Sequence, residues 1–249
     1  MKQPDREVVA RPNSDEFMTA LRGNRDFLSN PVTIVLSAVT LFLISQLIGG
    51  LLALPIIKSV SDTNIQLLTV VIFSAITLYV IILLLRKLLR FKLSSIGIAH
   101  PKLKFMFQAV PAFALYFIVS AGFTALAIRF IPSFNAEQVQ DVAFAKNTAF
   151  WPLVAAFFSL VIITPIFEET IFRGLLYKRL RSRLSFKASI IIASVVFAVA
   201  HMQWNVSVDT FALSLVLCWL VEKSGSVVPG IALHSLKNGI AFVLLFVVK

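Results

Sequence analysis

Two adjacent carboxylates, Glu168 and Glu169, end a stretch that carries no charge after Lys146. A charged side chain at bilayer depth costs several kcal/mol, so groups placed there face a cavity and carry function. On a helix the pair points about 100° apart and need not share a partner. Glu169 and Arg173 are spaced i,i+4 with the acid first, the favourable orientation for an ion pair. That pairing would hold Glu169 charged and leave Glu168 free. Of the three histidines, His100 lies in a basic segment beside Pro101 and reads as a surface residue, whereas His201 and His234 lie inside apolar runs. Asn238 follows His234 at i,i+4, one turn along the same helical face. Taken singly, each could be a hydrogen-bonded packing group between membrane helices. Glu168, His201, His234 and Asn238 together, on three apolar segments, are harder to explain by packing.

The elements that must position them are membrane helices. Hydrophobic residues make up 58% of the chain and charged residues 14%, which excludes an ordinary water-soluble domain. Runs at 31–57, 63–85, 105–128 and 148–167 are uncharged and long enough to cross as helices. The run at 188–204 is shorter and holds His201, that at 210–221 is shorter still, and 224–248 holds one histidine and one lysine. The expected fold is all-α, a polytopic transmembrane bundle of about seven helices, six to eight. The polar arm at 1–30 has no apolar core of a signal peptide, so the first span acts as its own signal. Within that arm Ser14, Asp15, Glu16, Arg22 and Gly23 are placed to cap and close one short helix. The lone Cys218 excludes an intramolecular disulfide and reads as a small buried hydrophobe.

Charge orients the bundle. The loop at 86–104 holds six Lys or Arg and no acid, as does 173–187, while the alternate loops are poor in both. These two loops and the N-terminus are therefore expected in the cytoplasm. The rule accounts for most of the net charge of +11, and the basic residues flank spans with no aromatic platform between them, so nucleic acid is not a partner. The helix carrying the glutamates continues through the second basic loop to a turn near Leu184 and Ser185. Glu168 and His201 are equidistant from that turn, each ~25 Å away and level on neighbouring antiparallel helices. Charge would put Glu168 near the inner boundary and His201 deeper, a tension relieved if part of the basic segment is embedded among helices.

The segment EETIFR, Glu168 to Arg173, with Gly174 after it, resembles the EExxxR motif of the CAAX-protease and bacteriocin-processing (CPBP, or Abi) intramembrane proteases. FAVAH, Phe197 to His201, is similar to that family's FxxxH motif, and HSLKN, His234 to Asn238, to its HxxxN motif. The resemblance covers the last hundred residues. It implies a division into a polar arm at 1–30, N-terminal membrane helices at 31–147 and a catalytic core at 148–249. It also implies hydrolysis of a peptide bond in a membrane-associated protein or peptide within the lipid bilayer. Glu168 would take a proton from a water held between it and His201 and pass it to the leaving amine. Glu169 and Arg173 would support it, His234 and Asn238 would donate to the oxyanion, and Phe197 would exclude water. No cofactor is favoured. The alternative is a divalent metal, with zinc on Glu168, His201 and His234. The cavity is expected to open toward the basic side.

Two other classes fit parts of the pattern. A non-cleaving scaffold or bacteriocin-immunity factor would keep the fold, but the intact Glu168, His201, His234 and Asn238 weigh against it. A proton-coupled transporter could use Glu and His as a relay, but no paired halves with matching interrupted helices are present.

Overall fold

Asn30 sets where the first helix begins. Its side chain accepts from the Val32 N–H at 2.9 Å, and Pro31, whose missing N–H costs nothing there, opens α1 (Pro31–Ile57). The computed structural model describes residues 30–89, 92–138, 144 and 149–248. The N-terminal arm and its expected short helix lie outside the described residues. Asp62 caps α2 (Thr63–Leu89) through the Ile65 N–H, 3.0 Å. These two helices meet where Gly49 crosses Ser74: a Cβ on Gly49 would come within 2.4 Å of the Ser74 Cα.

After a short 3₁₀ turn at Leu93–Ile96 come α3 (Leu103–Phe130) and α4 (Phe150–Arg181). Then follow α5 (Phe186–Ala200), α6 (Trp204–Ser224) and α7 (Val228–Val247). Six of the seven are long and apolar enough to span a membrane, and α5, with 15 residues, is the short one. The chain is an all-α, multi-pass membrane bundle. The sequence reading doubted the run at 210–221, yet α6 has 21 residues and it is α5 that is short. Asp209 interrupts the uncharged run without ending the helix, because Tyr116 and Ser120 donate to it at 2.7 and 2.6 Å.

α4 is the hub and packs against α1, α2, α5, α6 and α7. It is not uniformly α-helical. Pro165 has no N–H to give the preceding turn, and the residues before it, Phe158–Ile163, widen into a π-helical stretch. A second π stretch covers Glu169–Tyr177 and places Glu169, Ile171, Phe172, Arg173, Leu176 and Tyr177 in the interior. Part of the basic segment is thus embedded, which reconciles the depth of Glu168 with that of His201.

The loop between α2 and α3 docks on this buried stretch. Gly174 lies under Ile96, where a Cβ would meet the carbonyl oxygen at 2.6 Å. Gly97, at φ 78°, accepts from the Val227 N–H at 3.0 Å, and Ser226 donates to the Ala99 carbonyl at 2.7 Å. Lys178 adds bonds to the carbonyls of Ser94 and Gly225. His100 is exposed, as its sequence context implied.

Candidate active site

The two glutamates enter different surroundings. Glu169 and Arg173 are both fully buried, and Arg173 Nη1 donates to Glu169 Oε1 at 2.9 Å. The same oxygen meets Nδ1 of His234 at 2.9 Å. A carboxylate oxygen can only accept, so Nδ1 carries the proton and Nε2 of His234 turns toward Glu168 Oε2, 3.8 Å away. Glu169 Oε2 lies against Gly230, where a Cβ would stand 3.2 Å from it, so a larger residue in the first turn of α7 would push the buried carboxylate aside by a few tenths of an ångström.

Phe197 organises the centre. The Arg173 guanidinium lies 4.1 Å from its ring centroid, a desolvated cation–π contact. The rings of His201 and His234 pack edgewise on Phe197 at 4.7 and 6.0 Å. His201 caps the end of α5, and its Nδ1 donates to the Phe197 carbonyl at 2.8 Å, leaving Nε2 as an acceptor. Met202, at φ 53°, then turns the chain into α6.

Glu168, with 16% of its side chain exposed, faces a cavity of about 390 Å³. His201, His234 and Asn238 line the same cavity. Asn238 donates one amide N–H to the Leu160 carbonyl, in the π stretch of α4, at 3.0 Å. All six residues singled out from sequence converge here: four on the cavity, and Glu169 with Arg173 behind it.

The direction of the cavity differs from expectation. Its lining runs from Glu168 and His234 away from the basic loops, toward Phe134, Ala136 and Gln138 after α3. The basic side is filled by the buried second half of α4 and the loop docked on Gly174. Among the described residues no three His, Cys, Asp or Glu side chains come together as a metal-ligand group.

Sequence reasoning passed over two cavity residues, Asp209 and Lys237, which pair at 3.5 Å. The signal was present: Asp209 is the sole acid between Glu169 and Glu222, and Lys237 the sole charge in 224–248. The test applied to the glutamates, a charge inside an apolar run, finds both.

Residues 149–240 match the family model described as Rce1-like, type II CAAX prenyl endopeptidase. That span contains Glu168, Glu169, Arg173, His201, His234 and Asn238. No curated protein and no solved structure matches the chain.

Proposed function

We infer, because residues 149–240 match the Rce1-like family model of type II CAAX prenyl endopeptidases, that Glu168 and His201 of this membrane-embedded peptide hydrolase activate the water that cuts its substrate. The observation that carries this reading is the cavity shared by Glu168, His201, His234 and Asn238, at a depth where hydrocarbon supplies no partner for any of them.

The water donates one hydrogen to Nε2 of His201, whose Nδ1–H is committed to the Phe197 carbonyl. It donates the other to Glu168. As the water oxygen attacks the scissile carbonyl carbon, Glu168 takes that proton and then delivers it to the leaving nitrogen as the C–N bond breaks. The water's other hydrogen ends on the new amine, so the products are a carboxylate and an ammonium. Asn238 has a second amide N–H for the oxyanion, and His234, when protonated at Nε2, gives a charge-assisted one. One such donor is typically worth ~3 kcal/mol in the transition state.

Glu169 and Arg173 act from behind. The ion pair fixes the carboxylate that orients His234, and Phe197 keeps the Arg173 charge dry. No step is routed through a metal. With the basic loops in the cytoplasm, the cavity occupies the half of the membrane away from it, and the segment cut is one seated in that half. The family's name supports a prenylated CAAX segment as substrate.

Glu168→Gln preserves shape and removes proton acceptance. Cleavage of a membrane reporter should fall by about 10²–10⁴-fold while yield and melting temperature hold. Activity within a few-fold of wild type would remove Glu168 from the chemistry.

A further inference from the structure

Three of the six basic residues in the loop at 173–187 are accounted for within the chain. Arg173 is buried on Glu169, Lys178 Nζ donates to the carbonyls of Ser94 and Gly225, and Arg181 Nε donates to Glu222 Oε1 at 3.0 Å. Glu222 is the one acid at this end of the bundle among the described residues, and its other oxygen accepts from the Tyr177 hydroxyl at 2.8 Å. The remaining three, Arg179, Arg183 and Lys187, are exposed around the turn between α4 and α5. Arg183 lies close enough for its charge to act on Arg179. Like charges held together are destabilising by themselves. A phosphate between two guanidiniums instead accepts forked, charge-assisted bonds from both.

The helix below the turn shows what such a phosphate is attached to. Lys187, Ile191, Val195 and Val199 follow one another at i,i+4 and form one row along α5. All four are exposed, the three apolar ones at 52, 47 and 62%. The row starts at a cation and continues as hydrocarbon. From Ile191 to Val199 it runs ~12 Å, inside the ~15 Å of one leaflet, half of the ~30 Å hydrocarbon core. The span of α4 ends at Arg181 and α5 opens at Phe186. The three cations therefore stand at the boundary where headgroups lie, with the apolar row among acyl chains. A free phosphate would use the cations and leave the row unused. A zwitterionic lipid would use the row, but its own cation would oppose the three on the turn. An anionic phospholipid uses both, and basic groups at the membrane boundary attract such lipids.

We propose that Arg179, Arg183 and Lys187 hold the phosphate of an anionic phospholipid whose acyl chain lies along Ile191, Val195 and Val199. The site does not depend on which residues cut the substrate. It sits at the turn of the hairpin that carries Glu168 on one arm and His201 on the other, so the bound lipid fixes the depth of both.

The test counts lipid, apart from cleavage. Full-length protein in detergent micelles is mixed with phosphatidylglycerol and phosphatidylcholine bearing the same acyl chains. The lipid that each protein molecule retains is read by native mass spectrometry. Phosphatidylglycerol should be held about ten- to hundredfold more tightly, the usual worth of charge-assisted hydrogen bonds. Arg183→Gln combined with Lys187→Gln should remove at least about tenfold of that preference. Lys102→Gln combined with Lys104→Gln takes the same charge from another exposed part of the basic surface and should leave the preference in place. Where the first double variant does not fold, Arg179→Gln replaces it and should weaken the preference in the same way. A large excess of inorganic phosphate should not displace the lipid, because it has no chain for the row on α5. Equal retention of the two lipids by wild type, or a preference that survives removal of the cations on the turn, overturns the proposal. So does a preference lost equally in the variant of Lys102 and Lys104, or displacement of the lipid by phosphate.

Discussion

Removing the Arg173 side chain isolates the electrostatics of the buried site. Arg173→Ala deletes a fully buried cation that donates to Glu169 at 2.9 Å and stacks on Phe197 at 4.1 Å. Breaking a buried pair by removing one partner typically costs ~3–5 kcal/mol, because the other charge is left uncompensated. The desolvated cation–π contact adds ~2 kcal/mol. Against these, His234 Nδ1 lies 2.9 Å from the same Glu169 oxygen and can take up part of the compensation. The net expectation is the low end of the pair's range, about 3 kcal/mol. At ~2–4 °C per kcal/mol for a chain of this size, the variant should melt roughly 6–12 °C lower in detergent. It should also lose cleavage, since the carboxylate that orients His234 is no longer fixed from behind by Arg173. Adding Glu169→Gln removes the orphaned charge, and the double variant should melt above Arg173→Ala alone. Arg173→Ala that melts with wild type yet does not cleave would refute the supporting role and place Arg173 on the substrate.

Gly174→Ala puts a Cβ 2.6 Å from the Ile96 carbonyl oxygen, a backbone atom that cannot step aside; overpacking of this kind costs about 1–3 kcal/mol and should appear as a lower melting temperature. If Glu168 and His201 alone activate the water, as proposed, chelator treatment should leave cleavage unchanged; loss on chelation with recovery on adding zinc would replace Glu168-activated water with metal chemistry. Cys218 is fully buried and gives a quiet background for topology mapping. A membrane-impermeant maleimide should label Ser133→Cys in intact cells and Lys102→Cys only after permeabilisation; the reverse pattern would invert the orientation read from the basic loops.

How far the sequence carried the reading depends on the range of the contact. The spans were legible because charge-free runs are local signals. That Glu168 and His201 face one cavity accords with the single hairpin turn between them, and the Glu169–Arg173 pair with helix spacing, since both depend on chain geometry over a few turns. The bond from His234 to Glu169 could not be read that way. It joins residues 65 positions apart and depends on how α7 approaches α4 through Gly230. The direction of the cavity was missed for the same reason. Charge counting sees the basic loops but not that the second half of α4 turns Leu176, Tyr177 and Leu180 inward and fills that side. Asp209 was passed over, and its compensating hydroxyls, Tyr116 and Ser120, lie on another helix.

The brevity of α5 has a consequence for the lipid around it. Fifteen residues rise ~22 Å, against a hydrocarbon thickness of ~30 Å. The turn at His201 carries Met202 and Trp204, both exposed, and tryptophan settles at headgroup level. To meet that turn the leaflet beside it must thin, a mismatch costing fractions of a kcal/mol per ångström. A helix sliding into the thinned patch is then too long for the membrane it sits in. It can tilt, or it can let its end unwind, and only an unwound end offers the extended, hydrated peptide bond that hydrolysis requires. On the proposed reading of the site, the short helix would thereby enlist the bilayer itself in opening the substrate.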